Sequence, residues 1–516
     1  MGMGTSADLG MRFRLSPLVA VLAALAVPAL ALADATWQLE PRVTVSETWT
    51  DNVGLDQPGQ EESDFITQIM PGIAARKEGG RLRLVADYQL QSLVFARDGS
   101  RNDVYHRLFA KGDADLVEDW LFVDFGASRS QSIVDAEERL TLDNFNRTAN
   151  RADVVSYYVS PYLRHDFGGR FRTEIGYHAE QRDYERGAAD TYRQRVTARF
   201  SNGFRFTRLS WQLDYRDEIL RRQRLRNPEF RSLAGVVGYR LWRGLSLVAR
   251  AGKEDNSFSS VRRVTNGSYW SGGARWASRH FSVEALKGNN DQGVSVKLTP
   301  SARTTLDVRF RDRSVGLNPG VTWSGDFTHR TRRSRWNLRY FEDTITVQQL
   351  QPYGGNQVQL VFGGGTVEFR DPVTGDPVFL TEEGLFSLTD SVIERQRATA
   401  TFGYRFPRHR LRLTLFDEQR DLLLNGGEQD ARGGTLSWRW DVGVRTYSNL
   451  RYGRQNSTFT ASNRKRDFRY WSLELSRTLR PDATGSLRYR YAEQDSGTGG
   501  RDRQENRLTL QLQVAF

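Results

Sequence analysis

From residue 37 to the C-terminus, apolar side chains recur at every second position and not every third or fourth. In Arg507–Phe516, Leu508, Leu510, Leu512, Val514 and Phe516 share one face of an extended chain. Arg507, Thr509, Gln511 and Gln513 share the other, because strand side chains alternate sides. Residues 81–90 repeat the pattern, with Leu82, Leu84, Ala86, Tyr88 and Leu90 opposite Arg81, Arg83, Asp87 and Gln89. It returns near residues 171–178, 397–406, 410–415 and 487–491. No convincing amphipathic helix interrupts it.

The breaks between these runs alternate in length. Tight turn signals stand at Gly79-Gly80, Gly168-Gly169, 201–203, 242–244, 278–280, Pro300-Ser301, 332–334, Pro407-Arg408, 441–443 and 480–482, with a weaker one at Val117-Glu118. Longer polar stretches lie between them, among them 132–151, 219–229, 256–267, 349–391, 421–431, 456–466 and 495–503. Eleven turns imply twelve hairpins, hence about 24 strands, within a range of about 22 to 26. Short turns on one side and long loops on the other is the plan of a transmembrane up-and-down antiparallel β-barrel. An even count brings the last strand beside the first, near Arg42–Thr48, to close the cylinder. The terminal strand, with Leu508, Leu510, Leu512, Val514 and Phe516 toward lipid, is then the expected assembly signal for the barrel assembly machinery.

Composition agrees with that plan. Mean hydropathy is −0.60 over 516 residues, and no stretch beyond the N-terminus approaches the ~18–20 apolar residues of a spanning helix. A spanning strand needs only about 9–11 residues with alternate ones apolar. Residues 1–33 read as a cleaved signal peptide: Arg12 and Arg14 precede an apolar core and Ala31-Leu32-Ala33 forms the cleavage site. Residues 34–516 then form a single barrel in the outer membrane of a Gram-negative bacterium, in contact with its lipid. The absence of cysteine excludes disulfides and thiolate metal sites.

Charge then assigns a face to the polar positions. The net charge is +12, and only six of the 74 basic residues are lysine. The arginines stand singly at alternate strand positions among Asp, Glu and Gln, which argues against nucleic acid. An arginine facing lipid at mid-depth costs roughly 2–4 kcal/mol, so the arginines are expected to face inward. Arg83, Asp87, Arg172, Glu174, Arg339, Arg397, Arg405, Arg412, Arg488 and Arg490 are the candidate lumen lining. Trp120, Trp211, Trp242, Trp276, Trp336 and Trp471 suit an interfacial girdle.

Three segments carry a family resemblance: Pro41-Arg-Val-Thr-Val-Ser-Glu47-Thr-Trp-Thr-Asp51-Asn52, Trp336-Asn-Leu-Arg-Tyr340-Phe-Glu342-Asp, and Glu505-Asn506-Arg507 leading to Phe516. Over essentially the whole mature chain the sequence resembles the outer-membrane β-barrel proteins associated with exosortase (PEP-CTERM) systems. The resemblance implies a locus for exopolysaccharide production and protein sorting at the cell envelope, and a role in export across the outer membrane; the candidate partners are an exopolysaccharide or a periplasmic export partner. It supplies no catalytic residues.

Catalytic and metal motifs are missing. The six histidines (106, 165, 178, 280, 329 and 409) have no metal-ligand spacing, so neither metal nor cofactor is expected. Gly363-Gly364-Gly365-Thr366 lacks the lysine of a phosphate cradle. The reading is a pore for a polar, anionic polymer such as an exopolysaccharide, or for a solute. Its alternatives are a non-conducting anchoring barrel and a barrel hydrolase whose Ser/His pair forms only on folding. Residues 349–391 break the strand rhythm with an apolar run and a Pro/Gly turn cluster. They are read as a loop folded into the lumen or as a small external hairpin.

Overall fold

The computed structural model describes residues 37–146, 148, 150–223, 226–260, 266–346, 385–424, 426–497 and 502–516, together with the backbone of 359–361 and 368–370. The predicted leader and most of 349–391 lie outside the described residues. Twenty-four antiparallel strands form one sheet, each pairing with its neighbours in the chain. The first strand, Trp37–Thr50, closes it on the last, Arg503–Ala515, through a register running from Arg42 opposite Ala515 to Thr50 opposite Arg507. The other edge of the last strand pairs with Ala483–Asp495. Every backbone edge is thereby satisfied, which a sheet in lipid requires.

All eleven short turns fall at the end where both termini lie. Gly168 and Gly169 there have φ of 63° and 72°, a conformation that a side chain disfavours, and a Cβ on Gly169 would meet the Phe204 ring. The opposite end carries the longest connections, but not all there are long: strands take up most of the expected loops 421–431 and 456–466, leaving only 423–426 and 460–463 between them. Phe281–Asn289 and Asp291–Ser301 are joined there by Asn290 alone, at φ 60°. An asparagine tolerates that left-handed conformation, so the two strands close as a tight hairpin.

The outer face is the apolar one. Leu508, Leu510, Leu512, Leu473, Leu475 and Leu487 are exposed on adjacent strands, and Trp120, Trp242, Trp276 and Trp336 ring the short-turn end. Trp471 departs from the girdle, standing well inside the long strand Arg464–Arg480 against Tyr489. The expectation that arginines all face inward is also corrected. Arg129, Arg231, Arg432, Arg454 and Arg469 point outward toward the loop end, paired with Asp153, Asp217, Asp417, Asp467 and Glu493 respectively. The wall stands taller than the apolar belt, and above it an outward arginine meets water and a cross-strand carboxylate instead of lipid.

Candidate functional site

The inward faces of the strands divide the interior into two zones. Toward the short turns, the predicted lining residues are wet. Arg83 is 71% exposed beside Asp113, Arg172 59% beside Asp166, and Arg339 57% beside Asp326. Glu174 faces Arg164 at 3.0 Å and Arg405 is exposed at the rim. Arg488 is half-buried, donating to Glu474 at 2.6 Å, and Arg412, on His409–Leu422, is half-buried as well. These side chains line a vestibule with arginine in excess.

Toward the long loops the same alternation is dry. Glu218 is fully buried between Arg193 and Arg216, and Glu418 between Arg397 and Arg420. Of the predicted lining, Arg397 and Arg490 belong to this sealed zone. Asp87 is buried too, held by Arg42 across the intervening strand. Glu218, Glu418 and Asp87 each have at least one guanidinium partner, the condition under which buried charge is tolerated.

What dries this zone is chain folded in from the loop end. The described residues between Leu121–Ile133 and Arg151–Asp166, 134–146 with 148 and 150, turn inward and lie against the closing seam. Asp143 accepts from Arg507 at 2.7 Å and from Arg490 at 2.6 Å. Asn146 donates to Glu505 at 2.9 Å and accepts from Arg507 at 2.6 Å, while Glu505 also accepts from Thr50 at 2.7 Å. Asn144 and Gln91 exchange a reciprocal amide pair at 2.8 and 3.1 Å. Phe145 packs on the cluster of Val53, Ile66, Leu93 and Phe95. Burial by itself would raise the Asp143 carboxyl, but Arg490, Arg507 and Arg151 overcome it and hold the group well below its ordinary range.

A second inward segment, residues 385–391, precedes the strand Val392–Arg405. Leu385 exchanges backbone hydrogen bonds with the Gln455 side chain at 2.8 and 3.0 Å. Phe386 lies under the Arg420 guanidinium at 3.3 Å. Leu388 packs with Val154, Tyr184, Ile393 and Leu422, so one apolar cluster joins opposite walls of the cylinder. The two segments also meet: Leu388 donates to the Val134 carbonyl at 3.0 Å and Ala136 to Ser387 Oγ at 2.7 Å. Gln359–Val361 and Glu368–Arg370, earlier in the same long connection, pair as a short antiparallel ladder.

The polarity of 132–151 predicts an ordinary loop and by itself gives no sign of this seal. One signal was present: Leu140, Leu142 and Phe145 are apolar residues in a stretch with no strand period, and each finds an inward apolar partner. The six histidines come to no common site, and among the described residues no group of His, Asp or Glu is arranged to hold a metal ion.

No family model and no curated protein matches the chain. Among solved structures it is similar to the FrpB iron transporter from Neisseria meningitidis, F5-1 variant, at 10% identity over 93% of this chain and 82% of that one, TM-score 0.45. It is similar to the siderophore receptor PirA from Pseudomonas aeruginosa at 10% identity over 93% and 80%, TM-score 0.42. OccK2 (OpdF) from Pseudomonas aeruginosa also matches, at 10% identity over 93% and 98%, TM-score 0.35. The closed sheet, its lipid-facing apolar belt and its aromatic ring make the chain a β-barrel of the bacterial outer membrane.

Proposed function

We propose that the barrel is a gated pore that passes a polar, anionic solute or polymer, with an exopolysaccharide as the cargo class implied by the family resemblance. The observation that carries this reading is the arginine-rich vestibule, open toward the short turns, beneath a mouth closed by two tucked segments. Excess guanidinium in a low-dielectric wall concentrates anions, as charged clefts do. The paired carboxylates, Asp113, Asp166, Glu174 and Asp326, temper the field and hold the arginines in place. The latch is Asp143 and Asn146 on Arg490, Glu505 and Arg507. A periplasmic export partner would dock at the short turns.

The same sealed mouth favours a second reading, a non-conducting barrel that anchors an envelope complex. Planar-bilayer recording separates the two. The pore reading expects small, infrequent openings in the wild type and sustained anion-selective openings in the double variant Asp143→Ala/Asn146→Ala. A double variant that inserts and stays electrically silent sinks the pore reading and leaves the anchoring one.

A further inference from the structure

Outside the latch, a cavity of about 240 Å³ lies at the loop end between the tucked segment and the wall. Arg139, Arg464, Lys465, Arg466 and Arg503 line it, against only two carboxylates, Glu137 and Glu138. The rim is wet: Arg139 and Arg464 are about two-fifths exposed, the first paired with Asp56 and the second with Glu137. The floor is not. Arg466 is 6% exposed, and its Nε and Nη1 have no hydrogen-bond partner among the described residues. Asp135, Glu137 and Glu138 act on it only through space.

A buried guanidinium with idle donors is costly to keep unless something takes them up. A water could do so, but the cavity is many times the ~30 Å³ that a water occupies. Phe459, buried and part of the same lining, adds an apolar wall that a bare anion does not need. Cations on the floor, an aromatic side wall and a polar rim suit a ring with apolar C–H faces, hydroxyls and one carboxylate.

We propose that this cavity is an external binding site for a carboxylate-bearing sugar, with Arg466 and Arg503 taking the carboxylate and Phe459 packing against the ring. The site stands independently of whether the barrel conducts, because it lies at the outer mouth and not in the vestibule.

The test is calorimetric titration of the full chain in detergent micelles at low salt with sodium glucuronate, and separately with glucose and with inorganic phosphate. Saturable one-site binding of glucuronate is expected, with none by glucose and weaker binding by phosphate. Arg466→Gln should weaken glucuronate on the order of tenfold, the worth of one charge-assisted hydrogen bond. Arg432→Gln, on the outer face, should bind as the wild type does. If Arg466→Gln fails to give the heat-modifiable folded band, Arg464→Gln on the exposed rim replaces it, with a severalfold loss expected. The proposal is overturned if glucuronate binds no better than glucose, if phosphate matches glucuronate, or if the folded variant used, Arg466→Gln or its replacement Arg464→Gln, binds as the wild type does.

Discussion

Two halves of one lumen, built from the same alternating strands and the same arginine–carboxylate pairs, differ in what the pairs are worth. In the vestibule, Arg339 and Asp326 meet at 3.2 Å with both side chains more than a third exposed. Near the mouth, Glu418 is fully enclosed between Arg397 and Arg420. Water screens the first pair, so it contributes little to stability and leaves its charge available to a passing anion. The second is desolvated, so each member depends on the other. Position along the cylinder, and not residue type, sorts the arginines into wall charge and structural cement.

The largest break in that contrast should come at the seam. Deleting Phe516 removes an amide that donates to the Pro41 carbonyl at 2.8 Å, and with it the terminal aromatic of the predicted assembly signal. Insertion should fall severalfold, read as the fraction of folded band after assembly into outer-membrane lipid. Unchanged insertion would end the reading of this strand as a signal.

Next in size is the sealed half. Glu418→Ala strands two guanidinium groups in a dry interior and should lower unfolding free energy on the order of 3 kcal/mol. Asp326→Ala in the vestibule should change it by less than about 1 kcal/mol. Denaturant midpoints in micelles compare them, and equal losses would erase the distinction between the two zones.

A smaller effect sharpens the latch. The Asp143 carboxyl is held below its ordinary value of 3.8 when folded, so its contribution is present above that value and is lost only as pH falls through the depressed one. Closure, followed as channel-open probability, should therefore stay constant from neutral pH down to about 4. Opening in the range of pH 5 to 6 would mean that a different group holds the mouth. The smallest expected change concerns the vestibule. Arg172→Glu should shift the reversal potential toward cations while leaving the denaturant midpoint within error, because its partner Asp166 is itself exposed.

The strand count, the turns and the two faces of each strand were legible in the chain because they rest on local physics. A period of two depends only on the next residue but one, and Leu508, Leu510 and Leu512 need no distant partner to point away from Arg507. Cylinder closure was legible as well, since an even strand number returns the last strand to the first. Which arginines stay wet was not legible, nor was the seal. Asp143 meets Arg507 across 364 residues and Leu385 meets Gln455 across 70. Contacts of that separation exist only once the barrel has closed around a lumen narrow enough for a tucked loop to reach the far wall. The alternation decided which side of the sheet each arginine takes; only the closed tertiary structure, by excluding water from one half of the lumen, decided what each of them does.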